Sequence, residues 1–265
     1  MTYLDQEEQS MTRGITFSAL PGIGNVAAGD DLAEILQMAI AAAGLTPAAG
    51  DVLVVAQKIV SKAEGRTVDL ATVAPSPRAL ELAAVTGKDA RLVELILAES
   101  SEVLRAVPNV LIVRHRLGYV MANAGIDHSN VLNEGGARQV LLLPLDADAS
   151  AAALREKLHA ALGCELGVIV SDSFGRPWRN GVVNVAPGAA GLPALIDRRG
   201  EKDLYGRTLE MTQVAFADAL AAGAGLAMGE GAEGTPAVLV QGAAWQASPC
   251  NAQALIRPLD EDLFR

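Results

Sequence analysis

Asp127 lies in NAGIDHSN (123–130), which gathers Asn123, Asp127, Ser129 and Asn130 directly after an apolar run. Asp172 lies in VIVSDSFGRPWRNG (168–181), where a short apolar run ends in Ser171, Asp172 and Ser173, Gly175 turns the chain, and Arg176 and Arg179 follow. Glu230 and Glu233 lie in LAMGEGAEGTPAVLV (226–240), interleaved with Gly229, Gly231 and Gly234. Lys58, Lys62 and Arg66 cluster in QKIVSKAEGR (57–66), and ALPGIG (19–24) adds a Pro-Gly turn. Carboxylates and hydroxyls are hard oxygen donors, and arginines are forked donors for phosphate or carboxylate. A glycine-rich turn can offer backbone N–H groups to phosphate.

Taken singly, each stretch has a plain reading. NAGIDHSN can be an Asx-type turn, 226–240 a helix-to-strand turn, and 57–66 a solvated strand end. Together they pose a conflict that chemistry can resolve. Glu230 and Glu233 would repel phosphate from a glycine-rich loop, and a divalent ion such as Mg²⁺ or Mn²⁺ bridges carboxylates to phosphate oxygens. The economical reading is that Asp127, Asp172 and Glu230 are metal ligands at a phosphate site, with a lysine of 57–66 as a point charge. None of the P-loop, HExxH, CxxC or GxSxG patterns occurs.

These side chains need strands to carry them. VLVVAQKIV (52–60), VLIVRH (110–115), YVMAN (119–123), QVLLLPL (139–145), GVIVSDS (167–173) and AVLVQGA (237–243) read as strands. Arg116-Leu117-Gly118 reads as a hairpin turn. Helices are expected after Asp30 and Asp31 up to Gly44, and from Ser76-Pro77 to Ala84 before Gly87. Others are expected over 89–106, from a cap at Ser150 to Gly163, and from Thr208 to Met228. Strand ends are where α/β proteins bind ligands. The fold class expected is α/β (mixed α+β), one unit with room for two lobes.

The chain has 265 residues and a net charge of −10, which argues against a nucleic-acid partner. Half of it is hydrophobic with very few aromatics, so Ala, Val and Leu must fill the core. No apolar run reaches about 18 residues, so no membrane span is expected. The acidic N-terminus MTYLDQEEQSMTRG is no signal peptide and reads as a disordered tail over 1–14. Cys164 and Cys250 stand alone, as in a cytoplasmic enzyme.

SKAEGR (61–66), NAGIDHSN, SDSFGRPWRNG (171–181), KDLYGR (202–207) and MGEGAEGTPAVLV (228–240), in that order, resemble the coenzyme F-420:L-glutamate ligase family. The resemblance covers residues from about 15 to 245 and makes 15–265 a gamma-glutamyl ligase domain. It implies a GTP-dependent ligase that joins L-glutamate by γ-linked amide bonds to the F-420 precursor. It also implies two divalent ions (Mg or Mn), often a monovalent ion such as potassium, and an intertwined homodimer. By motif, Asp127 and Asp172 would hold one metal, and Ser173 and Glu230 the second. GTP would touch Ala19, Leu20, Pro21, Gly22, Gln57, Lys62, Asn130 and the loop Met228, Gly229, Glu230, Gly231, Ala232, Glu233, Gly234 and Thr235. Lys62, Asp127 and Asp172 would carry catalysis. The chain departs from the archaeal pattern at Gln57, where a hydroxyl residue is usual, and at Ser173, where Thr is usual. Alternatives are the same ligase chemistry on a different acceptor acid, a metal-dependent nucleotide phosphohydrolase, or a non-catalytic nucleotide-binding regulator.

Overall fold

The computed structural model describes residues 14–127, 138–175 and 178–262. The expected tail falls almost wholly outside them, as do Asn130, Arg176 and Pro177.

The architecture is mixed α+β. The central sheet contains β1 (Thr16–Ala19), β2 (Val52–Ala56), β8 (Gly167–Gly175), β9 (Val182–Ala190) and β12 (Ala237–Gln241), in the order β1-β12-β2-β8-β9. β2 and β8 run parallel and the other pairs antiparallel. The apolar runs of β2, β8 and β12 are fully buried because both faces are covered. On one face Leu53, Val55, Val168, Val170 and Leu239 meet α1 (Leu32–Ala42) and α5 (Ala147–Leu162). On the other, Val52, Val54, Ile169, Val238 and Val240 meet α6 (Phe216–Met228). The period-two alternation along each strand sorts the side chains to the two faces.

A second core lies beside this sheet. Here α3 (Pro77–Thr86) and α4 (Ala90–Ala98) cover the sheet of β4 (Ser100–Val107), β5 (Val110–His115) and β6 (Val120–Ala122). The antiparallel pair β3 (Thr67–Asp69) and β7 (Gln139–Leu141) joins it. Leu70, Leu82, Val93, Ile96, Leu111, Val113 and Val140 fill this core. A further two-stranded ribbon, β10 (Leu195–Asp197) with β11 (Gln213–Ala215), extends from the main sheet toward α6.

Several caps follow the expected chemistry. Asp31 Oδ1 accepts from Ala33 N at 3.1 Å to open α1. Ser76 Oγ accepts from Ala79 N at 3.2 Å to open α3, and Gly87 closes it at φ 70°. Other expectations are corrected. The strand expected over 52–60 stops at Ala56, and α2 (Gln57–Ala63) follows without a loop. The helix expected over 89–106 is α4 followed by β4; the apolar spacing of Leu92 and Ile96 is helical, but Val103 belongs to a strand paired with Val113. Asp146, not Ser150, caps α5: its Oδ1 accepts from Ala149 N at 3.0 Å, while Ser150 lies inside the helix. The helix expected from Thr208 begins at Phe216, because residues 213–215 pair with β10.

Candidate active site

One end of the central sheet collects the chemistry. β2 finishes there, and its parallel pairing with β8 ends with Ala56 opposite Ser171, while β8 runs on beside β9 to Gly175. The antiparallel β12 starts there, with Ala237 opposite Val55, so the glycine-rich loop before it arrives at the same place. β1 also ends there, and Leu20 N donates to Ala237 O at 2.9 Å. The four chain segments surround a cavity of about 540 Å³. Gln57, Lys58 and Lys62 of α2 line it, with Ser171, Asp172 and Ser173 of β8 and all of Met228, Gly229, Glu230, Gly231, Ala232, Glu233, Gly234 and Thr235.

β8 presents its polar end through an irregularity. Its pairing with β9 shifts between Val170 and Asp172, so that Ala186 and Pro187 on β9 face the single residue Ser171. Pro187, which has no N–H, fits such a bulge. Ser171 Oγ accepts from Asn184 Nδ2 at 3.1 Å, which fixes another cavity-lining side chain.

Asp172 is only partly exposed. Burial pushes its carboxyl up to about 7, against the hydrogen bond that Ser173 N donates to Oδ1 at 2.9 Å. The negative charges of Asp127 and Glu230 add to the rise and Lys58 opposes it. Asp127 and Glu230, the other two carboxylates singled out in the sequence, thus each lie within electrostatic range of Asp172. Among the described residues, no three His, Cys, Asp or Glu side chains gather closely enough to share one ion.

Asp127 comes from the second core. Asn123, Ala124 and Gly125 all adopt left-handed backbone, with φ of 54°, 53° and 69°. Two such residues that are not glycine store strain of order 1–3 kcal/mol each. Gly125 has no room for a side chain: a Cβ there would lie 2.7 Å from Met121 Cε. The run ends at buried Ile126, and Asp127 is then clamped to β7 by two backbone hydrogen bonds with Leu141, both 2.9 Å. Its carboxylate meets Lys58, with Nζ 2.8 Å from Oδ2.

The lysines form the opposing charge. Lys62 Nζ donates to Asn25 Oδ1 at 3.3 Å across the cavity. Burial pushes the Lys62 ammonium down, Lys58 adds to that, and Asp127 opposes it. Gln57 is fully buried, with Ser61 Oγ donating to its Oε1 at 2.9 Å. Its Nε2 has no protein partner and stands at the cavity wall.

The loop after α6 is built by glycine and Glu233. Gly229 has φ 74° and ψ 172°, a conformation essentially confined to glycine. A Cβ there would lie 2.3 Å from the Glu233 carboxyl carbon. Glu233 Oε2 accepts from Gly231 N at 2.8 Å, so this carboxylate is an internal strut of the loop. Residues 229–234 spell G-x-G-x-x-G, but between a helix and a strand, the reverse of the dinucleotide-binding turn.

Of the first turn, the cavity takes Ile23, Gly24, Asn25 and Val26 rather than Ala19, Leu20, Pro21 and Gly22. Leu20 is wholly buried in the core, while Pro21 and Gly22 are exposed. Asn25 and Asn184 were missed by the sequence reading, and Lys58 was not assigned a role. Asn184 sits in VVNVAPGAA, where Pro187 and Gly188 hide the strand pattern; the one available signal was its alternation with Val183 and Val185.

The donor set suits hard divalent ions: the carboxylates of Asp172 and Glu230 and the hydroxyl of Ser173 line one cavity. Mg²⁺ is commonly held by one or two carboxylates with phosphates and waters completing its shell, which fits carboxylates that do not gather in threes. Among the described residues, no helix is long and apolar enough to cross a membrane.

Comparison with known proteins gives a consistent result. Residues 22–242 match the family described as F420-0:Gamma-glutamyl ligase. The coenzyme F420:L-glutamate ligase of Methanothermobacter thermautotrophicus is 48% identical over 254 residues, covering 95% of this chain and 99% of that protein. The ligase of the same name from Methanopyrus kandleri is 46% identical, covering 89% and 92%, and that from Halobacterium salinarum is 44% identical, covering 93% and 94%. With Asp172, Glu230, paired lysines and a glycine loop on one cavity, the chain belongs to the F420-0:gamma-glutamyl ligase family of acid–amino-acid ligases.

Proposed function

We propose that this enzyme joins L-glutamate to the F-420 precursor through a γ-linked amide bond, at the expense of GTP. The observation that carries the reading is the meeting of Asp172, Glu230, Lys58, Lys62 and the 228–235 loop on one cavity. A carboxylate is a poor electrophile, so amide formation needs activation. The terminal carboxylate of the precursor attacks the γ-phosphorus of GTP, and GDP leaves. The acyl phosphate so formed is attacked by the amine of glutamate, which loses a proton as phosphate departs.

The chain's residues serve this by position and charge. Asp127 and Asp172 would hold one divalent ion, and Ser173 and Glu230 a second. Such ions neutralise charge that builds on the β- and γ-phosphates. The Gly229–Thr235 loop brings backbone close to the phosphates. Gln57 Nε2 is a fixed donor with nothing in the protein to receive it. Lys62 balances the phosphate tail. Bringing two anions together is the main task, and positioning dominates phosphoryl transfer.

We also propose that the enzyme works as a homodimer. Leu204, Tyr205 and Met211, in the excursion between β10 and β11, are 98%, 90% and 89% exposed. Large apolar side chains this exposed within one excursion support burial against another chain.

The test of the acyl phosphate is isotopic. With ¹⁸O in the acceptor carboxylate, one ¹⁸O should appear in the released phosphate for each amide made. Product formed with unlabelled phosphate would overturn the intermediate.

A further inference from the structure

We propose that Lys58 is a built-in counter-ion that leaves Asp127 when a divalent ion binds there and then joins Lys62 in clamping the nucleotide's phosphates. This rests on the metal and nucleotide reading above and adds a coupling between the two ligands.

Lys58 Nζ lies 2.8 Å from Asp127 Oδ2, with the two side chains 31% and 23% exposed. The ammonium therefore occupies a direction from which a metal would approach this carboxylate. It also lies within charge range of Asp172, the other side chain suited to that ion. An ammonium and a divalent ion cannot share this position, since like charges about 4 Å apart repel strongly where water is partly excluded. The divalent ion, with twice the charge, wins the carboxylates.

The displaced side chain has a destination. Lys58 and Lys62 stand four residues apart on α2, hence on one face, and both line the cavity. Lys62 already reaches across to Asn25. Two cations so placed disfavour each other unless an anion lies between them. A lysine stem with three rotatable donors can swing between a carboxylate and a phosphate.

Metal binding without nucleotide must then strand the Lys58 ammonium, whereas nucleotide phosphates receive it. The two ligands should bind with positive and reciprocal coupling.

The experiment follows Mn²⁺ alone, by electron paramagnetic resonance of the unbound ion, with full-length protein in the presence and absence of GDP. Wild type should bind Mn²⁺ about fivefold or more tightly with GDP than without. Lys58→Met should bind Mn²⁺ several-fold more tightly than wild type when GDP is absent, and should lose most of the GDP effect. Lys58→Arg, which keeps the charge, should retain weak binding of the lone metal. Lys62→Met should weaken GDP while leaving the affinity for lone Mn²⁺ unchanged. Unchanged or weaker Mn²⁺ binding by folded Lys58→Met overturns the proposal while leaving the metal site standing. Wild-type protein that binds no Mn²⁺, with or without GDP, overturns the metal reading itself and this proposal with it.

Discussion

Ser61 Oγ donates to Gln57 Oε1 at 2.9 Å, while the other end of this buried amide, Nε2, has no protein partner. The acceptor end is satisfied within α2, so the NH₂ is left as a donor for whatever enters. Gln57→Glu replaces that donor with an acceptor and a negative charge. Leaving a polar contact unmade costs about 1–3 kcal/mol, so GTP affinity in the presence of Mn²⁺ should fall by roughly tenfold or more. Titration calorimetry checks this; wild-type affinity in the variant would remove Gln57 from the nucleotide site.

Gly229 and Glu233 make a second prediction. Gly229→Ala places a methyl group against the Glu233 carboxylate and forces a side chain into a conformation reserved for glycine. The strain is of order 1–3 kcal/mol. The loop should open, raising KM for GTP more than it lowers thermal stability, because the core elements on either side are untouched. Steady-state kinetics beside a melting curve separate the two effects.

Asp172→Asn removes a charge at a site where burial and two carboxylates already oppose it. The fold should survive, with a melting temperature equal to or above that of wild type, while ligation falls by about a hundred- to a thousandfold, the scale of losing a main electrostatic group. Wild-type turnover at saturating Mn²⁺ would contradict the role of this carboxylate.

Away from the cavity, Glu99 ties the end of α4 to Arg66, in the turn between α2 and β3, and to the end of β5. Arg66 and Arg116 both donate to its Oε2, at 2.9 and 3.1 Å, and His115 Nε2 stands 3.6 Å away. Burial alone would raise the Glu99 carboxyl, but His115, Arg66 and Arg116 outweigh it and hold it at about 2, below its ordinary 4.5. A depressed carboxyl stabilises the fold above its unfolded pKa and ceases to do so as pH falls. The contribution, roughly 2–4 kcal/mol, is complete above about pH 5 and lost toward pH 2. Glu99→Gln should flatten the stability profile between those limits. Urea melts at stepped pH check the slope; an unchanged slope would contradict this linkage.

The parts legible in the sequence are those where local chemistry decides. Asp31, Ser76-Pro77 and Gly87 mark helix ends by hydrogen bonds made within three residues. The buried runs at 52–55, 167–170 and 237–240 announce a covered sheet. Asp172 stood out because it lies two residues past the apolar run ending at Val170, and Asp127 because oxygen-bearing side chains crowd 123–130. What could not be read depends on distant partners. Val103 resembles a helix residue until Val113 pairs with it, and β9 is hidden by Pro187, which the bulge tolerates. The Lys58–Asp127 pair spans two cores, and no pattern in 57–66 singles out Lys58 over Lys62 as its partner. Glu233, read as free charge, is a strut because Gly229 leaves room for it.

The most direct test mixes purified enzyme with GTP, Mn²⁺, L-glutamate and glutamate-free F-420 precursor, and reads product mass. The account predicts a gain of one or more glutamyl units that vanishes when any one component is omitted. GTP turnover without any mass gain on this acceptor would contradict it.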